Sequence, residues 1–117
     1  MLELSIETVG EKLNIIYIPE EHNYPDGLEK LKSLNYRMPT MAELRTIFEF
    51  VLNNPDSGIP QQGTIWSSDP YEQHGRNDQF VKTKSFYDGK YGGDVGMEGI
   101  HAHINLGVKL LLIGIKK

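Results

Sequence analysis

His101 and His103 are separated by one residue. An extended backbone over Ile100–Ile104 turns both imidazoles to one face, and His74 with Asp78 or Asp94 adds the further ligands a metal ion takes. Such a set would serve a histidine-metal hydrolase. The chain has no His-Glu-x-x-His helix and no cysteine, and surface histidines flanking a loop show the same spacing, so the other reading stands beside it. Ser67 and Ser68 do not lie in a nucleophile-elbow setting, and Asp88 and Asp94 are too loosely placed to form an acid and base pair. Gly92, Gly93, Gly96 and Gly99 are followed by neither a lysine nor a helix start, as a phosphate loop requires, and read as a mobile hairpin loop. No catalytic constellation emerges, and no cofactor or resident metal is implied.

Recognition chemistry is better represented. The stretches 69–78 and 88–103, with the adjoining Tyr87, concentrate Tyr71, His74, Arg76, Tyr87, Tyr91, Glu98, His101 and His103, the aromatic and hydrogen-bonding types that make contact surfaces. These eight are the candidate ligand-binding residues. Loops carried by a rigid scaffold are where such surfaces form, although each of these side chains can equally pack over a sheet or be solvated.

The scaffold follows from periodicity. Leu2, Leu4 and Ile6 alternate with Glu3, Ser5 and Glu7, and a second run from Leu13 to Ile18 ends at Pro19, which predicts a hairpin. Asp26 before Leu28 and Leu31, with Glu29 placed to complete a capping box, predicts a short helix over about 27–33. A stronger start follows. Pro39 gives a rigid entry, Thr40 and Glu43 form a second capping box, and Leu44, Ile47, Phe48 and Val51 make the apolar stripe of a helix that stops at Asn53-Asn54-Pro55-Asp56. After a loop, Thr64 to Ser68 has strand character, is ended by Asp69-Pro70, and makes Trp66 a core residue. Gln79 to Tyr87 alternates before an Asp88-Gly89 turn. Val108 to Ile115 is apolar on nearly both faces, as a central strand requires.

The chain has 117 residues, enough for one domain over 1–117 with a real core. Zero cysteines exclude disulfides, thiolate metal sites and cysteine nucleophiles together. Twelve basic and sixteen acidic residues, net charge −4, leave no basic stripe for nucleic acid. No signal-peptide pattern or membrane-length apolar run is present, so the expectation is a soluble cytoplasmic protein that engages neither nucleic acid nor membrane.

Tyr36-Arg37-Met38-Pro39-Thr40-Met41-Ala42-Glu43-Leu44 resembles the Trp-Arg-Leu-Pro-Thr-x-x-Glu-Leu signature of the bacterial Lcl C-terminal-domain-like family. Ile65-Trp66-Ser67-Ser68, Phe86-Tyr87-Asp88-Gly89 and Val108-Lys109-Leu110-Leu111 resemble its later motifs in the same order. The chain departs from that pattern in having Tyr36 for Trp, and its final strand lacks the usual Arg. The resemblance implies an α+β, C-type-lectin-like fold: an N-terminal hairpin, two helices, a second antiparallel sheet with long loops, and terminal strands meeting in one sheet. The helix start also resembles the formylglycine-generating enzymes, whose copper-dependent oxidation needs cysteine and is therefore excluded here. Calcium-binding lectins use a Glu-Pro-Asn or Gln-Pro-Asp loop after the Trp strand's position, whereas Asn54-Pro55-Asp56 comes before Trp66.

These readings converge on a non-enzymatic binding module for a carbohydrate or a protein, using the loops after Trp66. The alternatives are a small phage-type intracellular protein that binds and inhibits a host protein, and the histidine-metal hydrolase. The first hairpin also offers a strand edge through which copies of the chain can associate.

Overall fold

The alternating start of the chain forms the expected hairpin. Strand β1 (Leu2–Thr8) pairs antiparallel with β2 (Glu11–His22) from Leu2 opposite Tyr17 to Thr8 opposite Glu11. The computed structural model describes residues 1–8, 10–70, 81–87, 90–96 and 109–117. Strand β2 runs past Pro19, where sequence alone ends it. The register against the closing strand shifts between Ile18 and His22, and such an irregularity is where a strand tolerates a residue with no N–H.

Helix α1 (Tyr24–Ser33) starts one turn earlier than Asp26 implies. Asn23 is its cap, accepting from the Asp26 amide at 2.9 Å, and Pro25 occupies the first turn, where a missing N–H costs nothing. After the short strand β3 (Tyr36–Arg37), helix α2 (Met41–Asn53) follows the sequence reading closely. Thr40 accepts from the Glu43 amide at 3.2 Å and Glu43 accepts from the Thr40 amide at 2.9 Å, so both halves of the capping box are made. Pro55–Ser57 then forms a single 3-10 turn, which places the Asn54-Pro55-Asp56 triplet at the helix stop.

Strands β4 (Gly63–Pro70), β5 (Val81–Tyr87) and β6 (Lys90–Gly96) form an antiparallel meander, and β7 (Leu110–Lys116) closes the fold. The path of the sheet is β1-β2-β7-β4-β5-β6, with β3 also on β7. The apolar strand β7 is therefore central, as its sequence requires. It runs antiparallel to β2 and meets β4 in parallel at Ile65 opposite Leu111, so the meander continues the first sheet instead of forming the expected second one. The terminal strands β1 and β7 share that sheet without pairing, because β2 lies between them. The glycine-rich run at 92–96 belongs to β6 rather than to a loop, because pairing with β5 supplies what glycine lacks in strand propensity.

The molecule is an α+β protein with a helix on each face of the sheet. Met41, Leu44, Ile47, Phe48 and Val51 of α2 bury against Ile15, Ile65, Phe86, Ile113 and Ile115. On the other face Tyr24 and Leu31 of α1 bury against Ile16, Ile18, Trp66 and Leu112. No helix among the described residues is long and apolar enough to cross a membrane.

Gly114 of β7 sits beneath Leu31 of α1, between Tyr36 and Ile16. A Cβ there would lie 2.6 Å from Leu31 Cδ2, 3.0 Å from Tyr36 Cβ and 3.1 Å from Ile16 Cγ2. Gly114→Ala is expected to lose about 1–3 kcal/mol of stability by overpacking, read as a lower urea midpoint at unchanged slope.

Candidate functional site

Two of the four motifs quoted above, Tyr36–Leu44 and Ile65–Ser68 with the adjoining Asp69, touch in space. Between the rungs Trp66–Thr83 and Pro70–Val81, β4 spends three residues against one on β5, so Ser67, Ser68 and Asp69 bulge out of the ladder. The bulge turns toward the start of α2. The Ser68 amide donates to the Pro39 carbonyl at 2.8 Å, and the Met41 amide donates to Asp69 Oδ2 at 3.1 Å. Ser67, fully buried, donates its hydroxyl to the Lys82 carbonyl at 2.7 Å and accepts from the Asp69 amide at 3.2 Å. Asp69 thus acts as a long-range cap on the first turn of α2, where a carboxylate also meets the positive end of the helix dipole. Sequence reasoning treats Asp69-Pro70 only as a strand stop. Local spacing carries no signal for a bond across 28 residues.

On the outer side of the same turn, Arg37 donates from Nη1 and Nη2 to the two oxygens of Glu43 at 2.8 and 2.6 Å. These bonds, with the Thr40 amide, hold the Glu43 carboxyl below the usual carboxylate range against the opposing pull of burial. A depressed folded pKa means the contribution is fully present above the unfolded value, about 4.3, and is lost as pH falls through the folded value. Glu43→Gln is therefore expected to lower the urea midpoint at neutral pH, with the gap from wild type closing in acid below about pH 4.

This clamp adjoins the ends of β4 and β6, after which most of the candidate residues follow in the chain. The chain departs at Pro70 and returns at its rung partner Val81, and β6 ends at Gly96 opposite Lys82, the next residue of β5. Tyr71, His74 and Arg76 belong to the first departing segment, and Glu98, His101 and His103 to the second, which rejoins the sheet at β7. These six residues lie outside the described residues, as does Asp88-Gly89. Tyr87 and Tyr91 occupy the other end of the β5–β6 ladder, where Tyr87 pairs with Lys90 and Tyr91 with Phe86. Tyr87 lies five residues along β5 from Lys82, a run of about 16 Å at strand rise.

No family model, curated protein or solved structure matches the chain. Among the described residues no three His, Asp or Glu side chains cluster as metal ligands, and His74, His101 and His103 lie outside that set.

The buried part of the meander is unusually polar for a core. Thr83 and Lys84 are fully buried and Ser85 nearly so, and Thr64 Oγ1 and Ser85 Oγ share a hydrogen bond at 2.7 Å. Lys84 Nζ lies 5.6 Å from the centroid of the Phe48 ring, and its position in β5 pairs with Asp94 of β6. Alternation in the sequence shows that Lys82 and Lys84 share a face, but not that α2 covers Lys84.

Proposed function

We propose that the chain is a non-enzymatic, C-type-lectin-like binding module related to the Lcl C-terminal-domain-like family, and that it holds a carbohydrate or a protein surface with the segments after Trp66. The observation that carries this reading is the clamp between the β4 bulge and the start of α2. It anchors the departure of residues 71–80 to a helix terminus and to the sheet together, at a rung adjoining the end of β6. Bonds of this number at a loop root favour a rigid platform with recognition residues mounted on it. The strand order is consistent with the proposed fold, since the second strand of the N-terminal hairpin lies beside the closing strand and the meander follows on.

A glycan array and affinity capture from lysate, both with the intact protein, separate the two ligand classes. A carbohydrate module retains a restricted set of related sugars. A protein-binding module captures one stable partner at fixed stoichiometry, which is also the outcome for a host-protein inhibitor. Stoichiometric metal in the purified protein together with hydrolytic activity abolished by His101→Ala and His103→Ala would overturn the non-enzymatic reading.

A further inference from the structure

Strand β1 is an edge of the sheet, with β2 on one side and no strand on the other among the described residues. Its seven rungs with β2 run without a bulge, so the outer side presents a regular row of backbone donors and acceptors. Two hollows adjoin β1, one reaching inward over β2, β3 and β7 and the other between β1 and α2. One, of about 290 Å³, is lined by Glu3, Ser5, Asn14, Tyr36 and Lys116, and the other, of about 370 Å³, by Ile6, Thr46, Glu49, Phe50 and Asn53. A strand added to β1 sends alternate side chains to the two faces, on one beside Glu3 and Ser5 and on the other beside the hollow between β1 and α2.

The charges favour one kind of occupant. Glu3, Ser5 and Glu7 are exposed along β1, while Leu2 and Leu4 are half-buried on the face that carries the buried Ile6. Glu49 adds a third carboxylate at the second hollow, while Lys116 lines the first and Lys12 stands opposite Glu7. A second copy of the chain, paired antiparallel at full overlap, would set Glu3 against Glu7 twice, a destabilising arrangement of like charges. A segment with basic residues opposite Glu3 and Glu7 and apolar residues between them meets attraction on one face and Leu2, Leu4 and Phe50 on the other. We propose that the β1 edge accepts an extended, basic segment of a partner protein by strand addition. The site lies at the opposite edge of the sheet from β6 and does not rest on the reading of the segments after Trp66.

The probe is a fluorescent peptide of alternating lysine and valine, titrated into the full chain at low salt with anisotropy as readout. Saturable binding is expected, with slower amide exchange along β1 and little binding of the same peptide with glutamate for lysine. Glu3→Lys with Glu7→Lys is expected to weaken binding by roughly tenfold, on the scale of two exposed ion pairs reversed. Glu20→Lys with Glu21→Lys, an equal charge change at exposed positions far along β2, should leave affinity within about twofold. Glu3 also accepts from the Tyr36 hydroxyl at 3.0 Å, so Glu7→Lys alone is measured beside the pair and should weaken binding by itself. Absence of binding to the lysine peptide, equal weakening by both charge-reversed pairs, or a β1-dependent dimer in sedimentation would each overturn the proposal.

Discussion

Trp66→Ala is expected to cost about 3–5 kcal/mol, enough to consume much of the stability of a domain this size. The indole is fully buried, the largest side chain so placed, and lies where β4 joins the central strand. Its ring meets Tyr24 of α1 edge to face, with centroids 5.4 Å apart and planes at 71°. Its Nε1 donates to the His22 carbonyl at 2.8 Å, so one side chain ties the meander to the first helix and to the end of β2. Truncation opens a cavity and leaves that carbonyl without its donor, two penalties that add. Trp66→Phe refills most of the volume and should recover over half of the loss, leaving roughly the cost of the hydrogen bond, about 1 kcal/mol. Urea unfolding followed by circular dichroism reads both.

Phe48→Ala is the second large effect, also about 3–5 kcal/mol. Phe48 of α2 stacks on Phe86 of β5 with centroids 3.9 Å apart and planes within 3° of parallel, and Lys84 lies over the same ring. The substitution removes the apolar floor beneath a buried ammonium as well as the stack. Phe48→Leu keeps an apolar side chain there but loses the ring face, so it should fall between wild type and Phe48→Ala. A Phe48→Leu protein as stable as wild type would show that the ring face contributes nothing beyond its area.

Much of this architecture is legible in local sequence because local physics decides it. The Thr40–Glu43 box is complete within four residues, and the stripe from Leu44 to Val51 is the buried face of α2. Alternation sets the first hairpin, and apolarity on both faces sets β7 at the centre. What sequence misreads is decided by distant partners. Strand β6 forms from a glycine-rich run because β5 pairs with it, and β4 continues to Pro70 because its bulge is fastened to α2. The start of α1 at Asn23 turns on the choice between two competent caps, and Pro25 fits the first turn only with the earlier one. Of the eight candidate contact residues, Tyr87 and Tyr91 fall at the hairpin end of the β5–β6 ladder, while the segments bearing the other six depart from its clamped end.

That division supplies the most direct test of the binding platform. With the glycan or protein identified by array or capture as ligand, dissociation constants are compared for wild type, for Tyr71→Ala combined with His74→Ala and Arg76→Ala, and for Tyr87→Ala combined with Tyr91→Ala. The first variant should lose at least about tenfold in affinity, as removal of interface anchors does, at an unchanged urea midpoint, and the second should change little. Undiminished affinity in the first variant, or loss confined to the second, would contradict the account.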